Sequence, residues 1–380
     1  MSTSLDPYLK LMAEKEASDL FFTTGAAPSI KLNGEMKAVS KNKLAPGQTR
    51  KIAYSILEDH QVETFEEELE LNLGLSRAGI GRFRVNIYMQ RGEVSMVIRY
   101  IKSRIPSVEE LNLPEVLKEL ILAKKGLILM VGATGSGKST TLAAMIDHRN
   151  SAVAGHILTV EDPIEFVYEH KKSIVGQREV GLDTHSYENA LREAMREAPD
   201  MILIGEIRDQ ESMEAGITYA DTGHLCVSTL HAVNANQALD RIINLFPPEQ
   251  KNQILMDLSL NLKAIISQRL VPTKKGKGRI PAVEIMINTP YIQELIRKGE
   301  MHEIKEIMEK GGQEGMQTFD QSLFELFKHG KIDINDALNS ADSRTNLEWK
   351  INFGGGSTGL SQKKKQKDDD DLEFPSDLDI

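Results

Sequence analysis

A glycine-rich loop between an apolar run and a helical pattern constrains this chain more than any other feature. Residues 132–139 read GATGSGKS and match the spacing G-x-x-x-x-G-K-[ST]. They follow the apolar run 127–131 and precede a helical pattern that starts near Lys138. Backbone N–H groups in such a loop surround phosphates, and the positive end of the helix points at them. The sequence therefore predicts a nucleoside triphosphate site on a strand, loop and helix unit.

The side chains of this loop have separate predicted roles. Lys138 would neutralise charge on the two outer phosphates, and the Ser139 hydroxyl would bind a magnesium ion that keeps several of its waters. The glycines let the backbone approach the phosphates closely. The candidate nucleotide-binding residues of the segment are Gly132, Thr134, Gly135, Ser136, Gly137, Lys138, Ser139 and Thr140. A glycine-rich turn between core elements is the structural alternative.

Composition limits the class of protein. The chain has 380 residues, enough for two or three domains with cores of their own. Its apolar runs are too short to span a bilayer, and its first residues lack the basic and apolar regions of a secretion signal, so we expect no integral membrane segment and a cytoplasmic location. The single cysteine, Cys226, excludes an internal disulfide and a multi-cysteine zinc site. A net charge of −10 argues against general nucleic-acid binding, although local basic patches are compatible with it.

The N-terminal part of the chain combines helical and strand patterns separated by glycine, proline and Asn-Gly turn signals. The predicted elements are a helix over 5–16, strands over 19–23, 29–32 and 35–39, helices over 45–57 and 61–68, and strands over 70–76, 81–89 and 93–101. This order predicts a small α+β domain over residues 1–102. A polar segment bracketed by Pro106 and Pro114 predicts a linker over 103–114.

From residue 115 onward, strands and helices alternate, which is typical of an α/β fold with a mostly parallel sheet and helices on both faces. The predicted elements are strands over 127–131, 156–160, 201–205 and 225–230, and helices over 138–149, 186–197, 210–221 and 235–244. Beyond Pro247 and Pro248 the pattern is mostly helical, interrupted by a strand over 282–287. We expect an α/β domain over 115–345 with a helical C-terminal part. The charged residues 346–380 predict a disordered tail or, alternatively, a docking peptide.

Acidic residues follow two predicted strands of this domain. Glu206 ends an apolar strand, where a carboxylate in phosphate-loop enzymes holds magnesium or polarises the attacking water. Glu161, Asp162 and Glu165 follow the strand before it. Ligands of open α/β sheets bind at the carboxyl ends of the strands, so these acids are placed to activate water or to anchor the water shell of a metal. The structural alternatives are a helix-capping Glu206 and an ordinary acidic turn.

Two histidines bracket the predicted strand 225–230. His224 and His231 are seven residues apart, about 23 Å along a strand that rises about 3.3 Å per residue, so they cannot share one metal ion through this strand. His231 lies at the same predicted sheet edge as Glu206, where it would sense the terminal phosphate. His224 lies at the other end and would contact local structure. A structural role is the alternative for His231.

Arginines occupy the predicted strands of the first domain. Arg82 and Arg84 are two residues apart, so their side chains project from one face of the sheet, and Arg99 lies on a neighbouring strand. Such an arginine could reach the terminal phosphate of a neighbouring subunit and stabilise the charge of the transferring group. A solvent-exposed face with salt bridges is the alternative.

Four ordered segments resemble those of the secretion-type ATPases and, within them, the PilT/PilU family of type IV pilus retraction ATPases. They read GATGSGKST, ILTVEDPIEF, LIGEIRD and TGHLCVSTLHAVNA. The resemblance covers about residues 5–345 and implies a PAS-like first domain, a RecA-like second domain and a homo-hexameric ring with ATP and Mg²⁺ between subunits. It further implies an acidic box, a catalytic carboxylate, a histidine box and intersubunit phosphate contacts. The corresponding residues are Glu161, Asp162 and Glu165, then Glu206, then His224 and His231, and finally Arg82, Arg84 and Arg99.

The same resemblance implies a motor for pilus retraction and twitching motility. It would act with a PilT-like retraction ATPase on an inner-membrane platform protein, as a peripheral protein at the cytoplasmic base of the pilus. Gln293 replaces the arginine of an A-I-R-x-L-I segment of that family, which weakens the expectation of full retraction power. The long tail resembles the PilU-like branch, whose members resemble accessory motors.

Three alternatives remain at this stage. The protein could be an ATP-binding ring component with little hydrolysis of its own. An extension or secretion ATPase would usually carry a longer N-terminal region and a four-cysteine zinc insert, whereas this chain has one cysteine. A nucleic-acid translocase would be expected to show a basic channel surface.

Overall fold

The computed structural model describes residues 4–353 except Asn33, Ser103, Lys277 and residues 311–314. Within this part of the chain, the predicted mixed α/β architecture is confirmed, because an antiparallel sheet comes first and a mostly parallel sheet follows. Among the described residues, no helix is long and apolar enough to cross a membrane.

The first part of the chain folds around one antiparallel sheet. Its elements are α1 (Asp6–Glu14), β1 (Asp19–Phe22), β2 (Ser29–Leu32), β3 (Glu35–Ala38), α2 (Gln48–Tyr54), α3 (Asp59–Glu68), β4 (Glu70–Arg77), β5 (Gly81–Gln90) and β6 (Glu93–Ile101). The strand order is β3-β2-β1-β6-β5-β4. Phe83, Val85 and Ile87 of β5 are buried in the core of this sheet, so the alternating residues Arg82 and Arg84 lie on its opposite face.

The second part of the chain forms a sheet with helices on both sides. Its elements are α4 (Val116–Ile121), β7 (Gly126–Val131), α5 (Lys138–Ala152), β8 (Gly155–Glu161), β9 (Ser173–Glu179), α6 (Tyr187–Ala194), β10 (Met201–Ile204), α7 (Gln210–Asp221), β11 (Leu225–Leu230), α8 (Ala235–Ile243), α9 (Lys251–Asn261), β12 (Leu262–Pro272), β13 (Arg279–Ile287), α10 (Pro290–Lys298), α11 (Ile304–Lys310), α12 (Phe319–Lys328), α13 (Ile334–Ser340) and α14 (Arg344–Phe353). The strand order is β13-β12-β7-β11-β10-β8-β9, with β12 and β13 antiparallel and the other neighbours parallel.

Strand β7 shows why this sheet must be covered on both faces. All of its residues are buried. Leu127 and Leu129 belong to one apolar cluster, whereas Ile128 and Met130 belong to another on the opposite face. A strand with two buried faces reads as a continuous apolar run, which is typical of a parallel sheet between two helical layers.

Three segments of the second part of the chain differ from the predicted pattern. Strand β12 lies in a segment that the pattern assigned to helix, and β9 lies where no element was predicted. Most of β12 is buried on both faces, so its sequence lacks the alternation that identifies a half-exposed strand. Helix α14 covers residues 346–353 of the predicted disordered tail, because Leu347 packs into the apolar cluster of the C-terminal helices. Residues 354–380 of that predicted tail lie outside the described residues.

Candidate active site

The phosphate loop, defined as residues 132–139, connects β7 to α5. Gly137 is the N-cap of α5 and has a φ of 89°, a conformation that glycine adopts without strain. Gly132 has a φ of 153°, and a Cβ atom there would lie 2.6 Å from the carbonyl oxygen of Gln268. The loop therefore requires glycine at both positions. It also presents the N-terminal end of a 15-residue helix to a ligand.

Lys138 is the first residue of α5, and its side chain folds back over the phosphate loop. Its Nζ atom donates hydrogen bonds to the carbonyl oxygens of Gly132 and Ala133 at 2.8 and 3.1 Å. Burial lowers the pKa of Lys138, and the charges of Glu206 and Glu165 oppose that shift. The ammonium group thus lies between the loop and two carboxylates, where a cation can neutralise phosphate charge.

A pocket beside the phosphate loop brings together predicted residues from four separate segments. Most of them lie at or just beyond the carboxyl end of a parallel strand, the edge at which open α/β sheets bind ligands. This phosphate-loop pocket is lined by residues that include Thr134, Gly135, Lys138, Ser139, Glu161, Asp162, Glu165, Tyr187, Gly205, Glu206, Thr229 and His231.

Both carboxylate oxygens of Glu206 have nitrogen partners. Nε2 of His231 lies 2.8 Å from Oε1, and Nε of Arg208 donates to Oε2 at 2.7 Å. Strands β10 and β11 pair in parallel with Ile204 opposite Ser228, so both strands end at the same sheet edge. The structure thereby brings Glu206 and His231 into contact at the edge where their sequence positions placed them.

Glu161 lies in a different environment from the other acids of its segment. It is buried and accepts hydrogen bonds from Oγ1 of Thr159 at 2.7 Å and from Nε2 of Gln177 at 3.3 Å. Burial raises its pKa to about 7, although the two hydrogen bonds act in the opposite direction. A carboxyl group with this pKa changes its protonation state near neutral pH.

Arg208 connects the two acidic segments of the pocket. Its Nη1 atom lies 3.6 Å from Oδ2 of Asp162, while its Nε atom contacts Glu206. Glu165 is exposed and lines the same pocket as the phosphate loop. A carboxylate in this position can orient a water molecule or the water shell of a metal ion.

The oxygen atoms of the pocket fit a magnesium ion. Ser139 lies in the first turn of α5 and lines the pocket together with Glu165 and Glu206. Hydroxyl and carboxylate oxygens are the hard ligands that Mg²⁺ prefers, and such sites combine one or two protein ligands with phosphate oxygens and waters. The donor set therefore suits Mg²⁺, and the Ser139 hydroxyl is the candidate protein ligand at the phosphate loop.

His224 does not belong to this pocket. It precedes β11 and so lies at the sheet edge opposite to His231. Its Nδ1 atom is 3.1 Å from Oγ1 of Thr222 and 3.3 Å from the carbonyl oxygen of Tyr219. The structure thus places His224 in local contacts at the end of α7, and it does not bring this predicted catalytic residue to the phosphate loop of its own chain.

The three predicted arginines contact acidic residues of their own chain and do not line the phosphate-loop pocket. The nitrogen-to-oxygen distances are 4.0 Å for Arg82 and Asp183, 3.9 Å for Arg84 and Glu179, and 2.9 Å for Arg99 and Asp19. The first two pairs join the antiparallel sheet to β9 and the loop after it, and the third lies within the antiparallel sheet. Contact with the phosphates of a neighbouring subunit remains a prediction for all three.

Sequence reasoning missed three residues that shape the pocket. Oγ1 of Thr229 donates to the carbonyl oxygen of Gly205 at 2.8 Å and so fixes the backbone beside Glu206. Tyr187 lines the pocket from α6, and Gln268 contacts the phosphate loop from β12. The sequence signal for Gln268 was a polar group at residues 267–269 between apolar residues, and the helical interpretation of that segment obscured it.

Known proteins resemble this chain over most of its length. A family model described as type II/IV secretion system protein matches residues 2–338. The type IV pilus ATPase PilU of Pseudomonas aeruginosa is 53% identical over 92% of this chain and 91% of its own length. The type IV pilus retraction ATPase PilT of the same organism is 43% identical over 88% of this chain and 96% of its own length.

Solved structures lead to the same group. The crystal structure of the pilus retraction motor PilT with bound ADP is similar with a TM-score of 0.84 and 41% sequence identity, and the match covers 91% of this chain and 99% of that one. The chain therefore belongs to the type II/IV secretion system protein family and, within it, to the PilT/PilU-type pilus ATPases.

Proposed function

We propose that this protein is an ATP-hydrolysing motor that assists or powers type IV pilus retraction and twitching motility. The observation that carries the proposal is the meeting of the phosphate loop, Glu206 and His231 in one pocket. Similarity to PilU and to the ADP-bound PilT structure supports both the reaction and the nucleotide.

The pocket residues have separate roles in phosphoryl transfer to water. Backbone N–H groups of the phosphate loop and the Lys138 ammonium hold the phosphates, and Ser139 binds Mg²⁺, which neutralises phosphate charge when it is bound. Glu206 orients the attacking water. Each of its oxygens already accepts from one nitrogen, but an ionised carboxylate has further lone pairs for a water molecule. His231 and Arg208 fix the direction of that carboxylate.

The proposed assembly is a homo-hexameric ring in which an arginine of one subunit reaches the phosphates of the next. The contacts of Arg82 and Arg84 within the chain are long, at 4.0 and 3.9 Å. Arg82 and Asp183 are both partly exposed, and such pairs contribute only about 0 to 1 kcal/mol, so Arg82 can leave its partner at small cost. Glu179 is buried, so release of Arg84 would leave a buried carboxylate without its cation and costs more. Arg99 is held at 2.9 Å by Asp19 and is the least available of the three.

In the cell, we place the ring at the cytoplasmic face of the inner membrane, at the base of the pilus. There it would act on the membrane platform protein together with a PilT-like retraction ATPase. The 53% identity to PilU favours the accessory branch of these motors over the principal retraction motor. The net charge of −10 favours a protein partner over nucleic acid.

Steady-state ATP hydrolysis by the purified protein tests the proposal, alone and mixed with a PilT-like ATPase. We expect Glu206→Gln to lose hydrolysis while it still binds ATP, and Lys138→Ala to lose binding as well. Size measurement by light scattering with and without nucleotide tests the ring. A wild-type protein that binds no adenine nucleotide would contradict the whole assignment.

One observation bears on the alternative of an ATP-binding accessory ring component, because it weakens the expectation of full retraction power. Gln293 lies on α10, and its Nε2 atom contacts the carbonyl oxygen of Asn288 at 3.4 Å. The retraction motors that the sequence resembles carry an arginine at this position. Pilus retraction in cells that carry Lys138→Ala separates the two functions. Normal retraction by that variant in the presence of an active PilT-like ATPase would favour the structural role.

A further inference from the structure

Gln268 of β12 connects the strand next to β7 with the phosphate loop. Its side chain is buried, with a residue exposure of 2%. Nε2 donates a hydrogen bond to the carbonyl oxygen of Ser136 at 2.8 Å. Oε1 accepts a hydrogen bond from Oγ1 of Thr141, in the first turn of α5, at 2.7 Å. One amide group therefore holds both the loop and the helix that follows it.

The glycines of the loop show how closely this residue approaches. A Cβ atom on Gly137 would lie 2.7 Å from Nε2 of Gln268, and one on Gly132 would lie 2.6 Å from its carbonyl oxygen. Both distances are too short for an ordinary side-chain contact. Gln268 thus packs against both ends of the loop, with its backbone at one end and its amide at the other.

The bond to Ser136 orients a backbone donor of the phosphate cradle. The Ser136 carbonyl and the Gly137 N–H belong to one peptide unit, which is planar and trans, so the two groups point in opposite directions. Because Gln268 holds the carbonyl on the β12 side, the Gly137 N–H points away from β12. That N–H precedes Lys138 and lies at the N-terminal end of α5, where phosphate-binding N–H groups belong.

We propose that Gln268 is a positioning residue for nucleotide binding, which holds the phosphate loop in the form whose N–H groups face the phosphates. The inference rests on the proposed ATPase function, because it concerns the same phosphate loop. Gln268 acts through Ser136, Gly137 and Thr141 rather than on the reacting atoms. Its loss should therefore weaken nucleotide binding more than it slows the chemical step.

Binding of a fluorescent ADP analogue and steady-state ATP hydrolysis test this role in the full-length protein. In Gln268→Glu the Thr141 hydroxyl keeps an acceptor of similar shape, but the donor to the Ser136 carbonyl is replaced by an oxygen that repels it. We expect the Kd for the ADP analogue and the KM for ATP to rise about tenfold, as for the loss of one hydrogen bond, with kcat within about twofold. Gln268→Leu, which removes both bonds, should raise both constants at least as much.

Ser267→Ala is the matched control. Ser267 is buried on the same strand, but its hydroxyl donates to Glu284 rather than to the loop. We expect this variant to bind the analogue like the wild type. Equal weakening by Ser267→Ala and Gln268→Glu would overturn the proposal, because it would indicate general damage to β12. So would a fall in kcat with an unchanged Kd.

Two further measurements distinguish a loss of loop positioning from a loss of folding. Binding is measured well below the unfolding temperature of each variant, because a buried carboxyl facing a carbonyl oxygen should also lower the unfolding temperature of Gln268→Glu. Loss of binding that appears only where Gln268→Glu is already partly unfolded would overturn the positioning role. If Gln268→Leu does not fold, the comparison of Gln268→Glu with Thr141→Val still tests the role of the Ser136 bond. Thr141→Val keeps that bond and should weaken binding less than about threefold. A wild-type protein without nucleotide binding would instead contradict the proposed function itself.

Discussion

Nε2 of His231 lies 2.8 Å from Oε1 of Glu206, and the two residues follow neighbouring parallel strands. A carboxylate oxygen can only accept a hydrogen bond, so Nε2 of His231 carries the proton of this contact. The histidine therefore fixes the carboxylate that we assign to the attacking water. Replacement of either residue should affect hydrolysis more than binding.

We expect His231→Ala to lower kcat for ATP hydrolysis about 100-fold, with KM changed by less than about threefold. His231→Gln should recover part of the rate, because its amide nitrogen can reach the position of Nε2. Steady-state kinetics of the three proteins provide the measurement. A kcat for His231→Ala equal to that of the wild type would show that Glu206 does not depend on this contact.

The buried carboxyl of Glu161 should make stability depend on pH. Burial raises its pKa from the ordinary 4.5 to about 7, so the folded state holds its proton more tightly than the unfolded state. The resulting stabilisation is complete below pH 4.5 and disappears as the pH rises through 7. Relative to Glu161→Gln, the wild type should lose about 3 kcal/mol of unfolding free energy between low and high pH.

Urea unfolding of both proteins at several pH values between about 5 and 8 measures this difference. The neutral amide introduced by Glu161→Gln keeps an acceptor for Thr159 and does not titrate, so the substitution removes only the pH-dependent part. Parallel stability curves for the two proteins would mean that the carboxyl of Glu161 is ionised throughout this range.

A mixing experiment tests whether Arg84 acts on a neighbouring subunit. Arg84→Ala and Lys138→Ala should each be inactive alone, one without the arginine and the other without the phosphate-binding lysine. In mixed rings, some sites combine an intact Lys138 with an intact Arg84 from the next subunit. For random assembly of a closed ring, about a quarter of the wild-type activity should return.

The control for this experiment mixes Glu206→Ala with Lys138→Ala. Both residues line the phosphate-loop pocket of one chain, so no intact site can form in the mixture. We expect activity to return only in the mixture that contains Arg84→Ala. Absence of recovery there would restrict Arg84 to its contact with Glu179 in the same chain.

Arg269 should anchor the C-terminal helices to β12. Nη1 donates to the carbonyl oxygen of Ser340 at 2.7 Å, Nη2 donates to Oδ1 of Asp342 at 2.6 Å, and the guanidinium carbon lies 3.9 Å from the centre of the Phe319 ring. A lysine cannot reproduce this forked and stacked geometry. Arg269→Lys should therefore lower the unfolding free energy by about 2 kcal/mol.

Urea unfolding measures that loss, and hydrogen exchange locates it in α13 and α14. Lys305→Met is the comparison, because Lys305 also contacts Asp342, at 3.1 Å, through a single ammonium group. Lys305→Met should lower the unfolding free energy by less than Arg269→Lys does. Equal losses of unfolding free energy in the two variants would assign the effect to the charge of Asp342 rather than to the paired hydrogen bonds of the Arg269 guanidinium.

The part of the site that could be predicted is the part encoded in consecutive residues. The phosphate loop, the strand before it and the helix after it form one local unit, and an apolar run followed by glycines identifies it. Glu206 and His231 could be placed at one edge because parallel strands share their carboxyl ends. Their 2.8 Å contact and the second contact of Glu206 with Arg208 required the structure, since strand order is not a local property.

Other residues could not be assigned from their own neighbours along the chain. Residue alternation on β5 predicted that Arg82 and Arg84 share a face, but the acids opposite them come from β9 and the loop beyond it. Strand β12 was mistaken for helix because both of its faces are buried. Its position beside β7 and the phosphate loop depends on contacts between distant residues, as the bond between Gln268 and Thr141 shows with a separation of 127 residues.

The sequence by itself determined the phosphate loop, the mixed α/β class and the family, because these depend on spacing and on hydrophobic periodicity along short segments. Only the tertiary structure decided that Gln268 holds the loop, that Glu161 is buried with a pKa of about 7, and that His224 lies away from the pocket. The physical reason is that burial, hydrogen-bond partners and pKa depend on which distant segments pack together, and short-range pattern does not encode that packing.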